Sequence, residues 1–523
     1  MQSARRFAPV AAVSALATLA PLIAVAAPAA PVVSSVSSVS AVSSVQTQRP
    51  TWQRCSPDQP AAYQCTTLKV PLDYRAPGGK KIDVAVSRIK AADPRQRRGV
   101  LLFNPGGPGG SGLGDPLDWG GRLPQSVLDR YDLIGFDPRG VGKSTPVECG
   151  TAPDERMVLR PYRSKTFASD VAWAKRIAEK CRAKYGADLK HFTTRNTARD
   201  MDAIRAALGE QKINYIGVSY GTYLGAVYTQ LFPRRSDRII LDSAVDPKLV
   251  WRGMLQSWAK DSGFAFWRFL EWAAKNNDQY GFGTSPQKIA EDFFRLVRQA
   301  DRKPVKVGEK FYDGAAIREF MRPMFYRRTM GADMLGLVRD AAAGKPVPDF
   351  PAWVPGDNDV SMFNTVACGD TDAWPRDPQR YAGEAAMDSV WFPLYGDHAS
   401  NITPCAFWDR PAEPVTKVDN RVPSLILQAE WDSQTPLSTA QGMHRALKGS
   451  RMVTVDEGET HGVYRYGISS CADTVGTDYL VTGKLPAKDV TCAANPPAAA
   501  SAKESAENAK GTERGAPVNP NRF

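Results

Sequence analysis

The run Ile213-Asn214-Tyr215-Ile216-Gly217-Val218-Ser219-Tyr220-Gly221-Thr222 changes character in its middle. Residues 213–218 are a short apolar run, which predicts a buried strand. Residues 220–231 predict a helix that Pro233 stops. Between them Gly217-Val218-Ser219-Tyr220-Gly221 fits G-x-S-x-G, a pattern that carries meaning only on a strand, turn and helix in that order. The two glycines relieve crowding where the strand reverses into the helix, which leaves the Ser219 hydroxyl exposed at a strained turn. The helix N-terminus favours negative charge beside it. Ser219 is therefore the candidate nucleophile.

Working outward, Arg238-Ile239-Ile240-Leu241-Asp242 is the next strand, read over 238–243, and earlier strands are expected at 66–71, 82–89, 98–103 and 131–136. Helical patterns alternate with them, which implies parallel βαβ units and an α/β class. The helix before the elbow strand is read over 198–208, opened by a capping box at Thr197 and Asp200 and closed by Gly209. From about 251 to 408 the alternation gives way to helical stretches rich in Trp258, Phe264, Phe266, Trp267, Phe269 and Trp272, which reads as an inserted helical cap. Most of these aromatics are expected to form the cap's own core. Strand patterns return at 422–427 and 451–455. The chain thus divides into core residues 50–250, a cap at 251–410 and a second core part at 411–494.

A serine nucleophile needs a base, and there are four histidines: His191, His398, His444 and His461. On this kind of elbow the acid and base follow the serine in the order Asp or Glu, then His, which removes His191. His398 falls in the cap and His444 within a helix read over 437–447. His461, just past the last strand, lies where open α/β sheets place their sites and is the candidate base. The loop Glu430-Trp431-Asp432-Ser433 follows the preceding strand, and Asp432 is preferred to Glu430 because its distance from the strand leaves a turn to point it back. It would hold the imidazole tautomer. The glycine-rich loop Asn104-Pro105-Gly106-Gly107-Pro108-Gly109-Gly110-Ser111-Gly112 follows another strand and suits close backbone approach to a ligand. Backbone amides of Tyr220 and Gly107, with Gly106 as the near alternative, are the candidate oxyanion donors. No Lys-Ser/Thr follows these glycines, so a phosphate loop is disfavoured.

Composition agrees with an exported globular enzyme. The 523 residues are 43% hydrophobic and 23% charged, and the net charge of +12 is interspersed rather than clustered, so no nucleic-acid partner is expected. Arg5 and Arg6 precede an apolar run ending in Ala24-Val25-Ala26, which reads as a signal peptide over 1–26, with the general secretory route favoured. Low-complexity residues 27–49 read as a leader and 495–523 as a flexible tail. No later stretch reaches about 18 uninterrupted apolar residues, so no transmembrane anchor is expected and the location is secreted or periplasmic. The eight cysteines include no CxxC and favour disulfides over metal ligands; no metal or cofactor is expected. They allow about a hundred pairings. Pairing in sequence order, which closes short loops, is the expectation.

These residues carry a family likeness. Through Asn104 to Gly112, Gly135-Phe136-Asp137-Pro138-Arg139-Gly140-Val141-Gly142-Lys143-Ser144, Gly217 to Thr222, Asp432 to Pro436 and His461-Gly462, the chain resembles the secreted tripeptidyl aminopeptidases. More distantly it resembles the prolyl aminopeptidases of the α/β-hydrolase serine peptidases. The resemblance, over roughly residues 50–492, implies an α/β-hydrolase fold with a central, mostly parallel sheet, a helical cap over the site, and cleavage of short peptides from a free N-terminus. It agrees with Cys368 and Cys405 bracketing part of the cap and Cys471 and Cys492 closing the C-terminal end. Where relatives often read Cys-Asn-Asp, this chain has Cys368-Gly369-Asp370. An aminopeptidase must bind a cationic terminus, and Asp370 or Asp372 is the candidate carboxylate. The rival readings are a secreted carboxylesterase using the same three side chains and a non-catalytic binding protein on the same scaffold.

Overall fold

Apolar runs long enough to be covered on both faces build the centre of the molecule. The computed structural model describes residues 49–308, 310–348 and 355–496. The expected signal peptide lies outside the described residues, as do all of the leader except Arg49 and all of the tail except Asn495 and Pro496. Twelve strands are present among the described residues: β1 Gln53–Arg54, β2 Gln64–Pro71, β3 Lys81–Ile89, β4 Gly99–Asn104, β5 Tyr131–Phe136, β6 Ile213–Val218, β7 Ser236–Asp242, β8 Val305–Val307, β9 Lys310–Tyr312, β10 Ser424–Ala429, β11 Ser450–Asp456 and β12 Val490–Ala493. Ten of them form one sheet in the order β1-β2-β3-β5-β4-β6-β7-β10-β11-β12, while β8 and β9 make a separate hairpin. The sheet is antiparallel from β1 to β5 and parallel from β5 through β4 to β12.

Every residue of β4, β6 and β10 is buried, which is why these strands read as continuous apolar runs. β2, nearer the edge, alternates buried and exposed positions along Thr66 to Val70. Register aligns the C-terminal strand ends that matter: Asn104 pairs with Gly217, Val218 with Asp242, and Leu427 also with Asp242. The loops after β4, β6, β7 and β10 therefore emerge together on one edge of the sheet.

Helices α1 Phe167–Tyr185, α2 Thr194–Ala207 and α3 Tyr220–Leu231 lie in the first part of the chain. Between β7 and β10 come α4 Arg252–Lys275, α5 Pro286–Arg302, α6 Gly314–Met321, α7 Arg328–Ala342, α8 Asp357–Gly369 and α9 Pro378–Trp391. The second part adds α10 Leu437–Ala446 and α11 Ser470–Thr482. Phe266 and Phe269 of α4 are buried, Phe266 packing tilted against Phe293 and Phe325 and Phe269 against Phe325, with centroids 4.9–5.4 Å apart. Phe264 and Trp267 of the same helix are about half exposed, so the α4 aromatics divide between core and surface.

Helix α2 begins one turn before the expected cap. Its N-cap is Thr193, whose hydroxyl accepts from the Asn196 amide, and the Thr197 hydroxyl donates back to the Thr193 carbonyl. Asp200 is diverted from capping by a tertiary contact. The fully buried Arg139 guanidinium donates to both its oxygens at 2.7 Å, and the Tyr74 hydroxyl to one of them at 2.7 Å. A half-satisfied buried ion pair is costly, so this network overrides the local motif. The four disulfides pair in sequence order: Cys55–Cys65, Cys149–Cys181, Cys368–Cys405 and Cys471–Cys492. Asn495 is anchored, its amide donating to Ile468 and its side chain to Gly467.

Candidate active site

Ser219 sits between β6 and α3 with φ 58° and ψ −123°, a left-handed conformation that costs energy in any residue with a Cβ. The fold holds it there by close approach. A Cβ on Gly217 would stand 2.3 Å from the Gly221 carbonyl oxygen, and one on Gly221 2.6 Å from the Asn104 oxygen. Both glycines are thus required by the crossing of strand and helix, not by loop flexibility. The Ser219 amide donates to the Asp242 main-chain oxygen at 3.0 Å, which ties the elbow to the neighbouring strand.

Asp432 and His461 meet at the same edge. His461 Nδ1 lies 2.8 Å from Asp432 Oδ2 and 3.1 Å from Oδ1, and both residues are buried. The carboxylate is itself fixed: Oδ1 accepts from the amides of Gln434 at 2.8 Å and Thr435 at 3.0 Å, and Oδ2 from the Thr435 hydroxyl at 2.9 Å. Glu430 turns away and accepts from the Glu457 amide. The other histidines are engaged elsewhere. His398 is buried against Asp397, which Arg318 grips with two contacts, and His444 contacts Ser450 and Asp489.

Asp242, the last residue of β7, joins the two halves. Its carboxylate accepts from the amides of Val463 at 2.9 Å and 3.0 Å and Tyr464 at 2.8 Å, while its main-chain oxygen holds Ser219. The Ser243 hydroxyl accepts from the Gly462 amide at 2.8 Å. The loop that carries His461 is therefore pinned beside the elbow by the strand next to it. Sequence reasoning treated Asp242 only as a strand end. A charged residue closing a buried run next to the elbow strand was the available signal.

Complete burial pushes the Asp242 carboxyl up to about 6, against the lowering by the Tyr464 and Val463 amides and by His461. A raised carboxyl binds protons more readily in the folded state, so its stabilising contribution is full below pH 4 and is lost as pH rises through 6. Asp242→Asn does not titrate. The wild-type-minus-variant stability should therefore decline between pH 4 and pH 7, by about 3 kcal/mol if the whole shift is expressed. Denaturant melts across that range check this, and an unchanged difference would refute it. At neutral pH the same variant should lower kcat about tenfold or more while leaving KM unchanged, because one buried amide of the His461 loop loses its acceptor.

The glycine loop abuts this cluster. A Cβ on Gly106 would lie 3.0 Å from Ser219 Cβ and 3.4 Å from the Tyr220 nitrogen, so only glycine lets the loop close on the elbow. Gly107 follows at φ 114°, before a cis bond to Pro108. Tyr220 is the first residue of α3, where amides have no intrahelical acceptor. The Gly135 to Ser144 motif buttresses the loop: Asp137 accepts from the Ser111 hydroxyl at 2.5 Å and from the amides of Leu113 and Lys143.

Asp370 and Asp372 stand apart from this arrangement. Asp370 is buried below the elbow helix, where it accepts from the Thr194 amide at 2.7 Å, the Thr194 hydroxyl at 2.6 Å and the Trp251 indole at 3.0 Å. Thr194 in turn contacts the Tyr220 hydroxyl at 2.9 Å, and the Trp251 ring packs on Tyr220 and Tyr223. Both Asp370 oxygens are thus engaged in joining α8 to α2 and to the start of α4. Asp372 is exposed on the loop after α8.

A family model described as alpha/beta hydrolase fold matches residues 99–294, and one described as TAP-like protein matches residues 392–492. The tripeptidyl aminopeptidase of Streptomyces lividans is 34% identical, over 84% of this chain and 86% of its own length. The serine protease Hip1 of Mycobacterium tuberculosis is 31% identical, over 83% of this chain and 88% of its own. A protein of Mycobacterium tuberculosis named carboxylesterase B is 28% identical, over 82% of this chain and 86% of its own. The elbow, the paired Asp432 and His461 and these relatives together make the chain a serine hydrolase, and it belongs to the tripeptidyl aminopeptidase family of the α/β-hydrolase fold.

Proposed function

We propose that this protein is an extracytoplasmic serine exopeptidase that releases short peptides, tripeptides foremost, from the free N-terminus of peptide substrates. The observation that carries the chemistry is the Asp432–His461 pair, 2.8 Å apart, on the loop that Asp242 pins beside Ser219. In this mechanism His461 takes the Ser219 proton as Oγ attacks the scissile carbonyl. The amides of Tyr220 and Gly107 hold the oxyanion, and Asp432 stabilises the imidazolium without taking the proton. Collapse expels the amine, protonated by His461, and leaves an acyl-Ser219 ester. Water, deprotonated by His461, then attacks the ester and frees the peptide acid and the serine. No metal or cofactor enters any step. The four disulfides suit an oxidising compartment, and among the described residues no helix is long and apolar enough to cross a membrane.

The carboxylesterase reading stays as the second one because one relative bears that name. Mass spectrometry of peptide digests separates them. The expected result is stepwise loss of tripeptides from free N-termini and no cleavage of N-acetylated peptides. Efficient turnover of short-chain esters with intact peptides would favour the esterase.

A further inference from the structure

Helix α4 crosses the active-site loops with one face. Trp258 donates its indole N–H to the Gln434 carbonyl at 2.7 Å. Arg268 donates to Glu459 at 2.6 Å and to the Trp431 carbonyl at 3.4 Å, and its guanidinium lies over the Trp431 ring. The α4 stripe therefore rests on the Asp432 loop at one end and on the residues before His461 at the other. Asp261 falls between these two anchors. It is three residues from Trp258 and seven from Arg268, and two α-helical turns bring it to within about 20° of the Arg268 direction. Its side chain is therefore directed at the same loops.

This carboxylate is half-buried, and among the described residues no hydrogen bond or ion pair engages it. The charged groups facing it offset its charge only in part. The neighbouring Lys260, which is exposed, and Arg268, which shares Glu459 with Arg328, favour the anion, while Asp432 opposes it. Burial holds the Asp261 carboxyl up to about 6, against the lowering by Lys260 and Arg268 and with a smaller push upward from Asp432. A half-buried carboxylate with no hydrogen bond or ion pair, beside the loops that carry the reacting groups, is suited to receive a cation.

We infer that Asp261 receives the free α-ammonium group of the peptide substrate. This rests on the exopeptidase reading above and assigns it the residue that distinguishes a free from a blocked N-terminus. It takes the role first sought in Asp370 and Asp372.

The test is steady-state kinetics of wild type, Asp261→Asn and Asp261→Ala with a tripeptide p-nitroanilide, its N-acetylated form and p-nitrophenyl acetate. In the wild type the free amine should be preferred. Both variants should raise KM for the free-amine substrate about tenfold or more, corresponding to one charge-assisted contact, with kcat held within about twofold. Turnover of p-nitrophenyl acetate should be unchanged, which also reports that the variants are folded. Asp261→Glu, which keeps the charge, should recover part of the preference. If the wild type prefers the free amine and neither neutral variant alters that preference, the assignment of Asp261 is overturned while the exopeptidase reading stands. A wild type indifferent to acetylation overturns both.

Discussion

Replacing Ser219 by alanine should lower kcat by about 10⁶ while leaving KM for a short peptide substrate nearly unchanged. The size of the effect follows from the way the three side chains act as one unit. Without the hydroxyl, His461 has no proton to take and Asp432 orients an idle ring, so what remains is binding plus the amides that would meet the oxyanion. The substitution is structurally quiet. Ser219 makes no side-chain cap hydrogen bond to α3, and alanine meets the same left-handed backbone cost at φ 58° that serine does. An unchanged melting temperature with abolished turnover is the expected pair of results. Turnover within about tenfold of wild type would remove Ser219 from the mechanism.

Asp432→Asn should lower kcat by about 10⁴, because it changes a tautomer without emptying a space. Two amides, those of Gln434 and Thr435, donate to Oδ1 and fix which position of an asparagine must be its oxygen. The amide nitrogen then occupies the Oδ2 place, 2.8 Å from His461 Nδ1, where it can only donate. His461 Nδ1 must accept, the ring proton moves to Nε2, and the nitrogen that should take the serine proton is already protonated. Substrate binding is untouched, so the loss should appear in kcat and not in KM, measured with the same tripeptide anilide. A loss of less than about tenfold would mean that Asp432 does not set the tautomer of the reacting histidine.

The parallel centre was legible from sequence because its strands are buried on both faces. Residues read over 131–136 and 213–218 form β5 and β6 over the same spans, and the expected helix 220–231 is α3. Short edge pieces left no comparable signal: β1 and β12 have two and four residues with exposed positions, and the β8–β9 hairpin lies amid helices. The start of α2 was misread because Asp200, a plausible capping acid by position, is committed to Arg139 some 60 residues earlier in the chain, a contact that no local window contains. The contacts of Asp370 were hidden for the same reason. Its neighbourhood in sequence is a loop, but in space it lies under Thr194 and Trp251.

In the site, the residue types and their order pointed to Ser219, Asp432 and His461, since each follows a strand whose C-terminal end faces one edge. What order could not disclose is how the loops are held. Asp242 serves the elbow with its backbone and the His461 loop with its side chain, and Thr435 steadies Asp432 through both amide and hydroxyl. Asp261 is likewise invisible to a motif.

The most direct test of the account is to trap the acyl-enzyme position itself. The protein is incubated with a fluorophosphonate and the adduct is mapped by peptide mass spectrometry. The account predicts a single phosphonyl group on Ser219, its formation slowed in Asp432→Asn and absent in Ser219→Ala. An adduct on a different serine, or none at all in the folded wild-type protein, would contradict it.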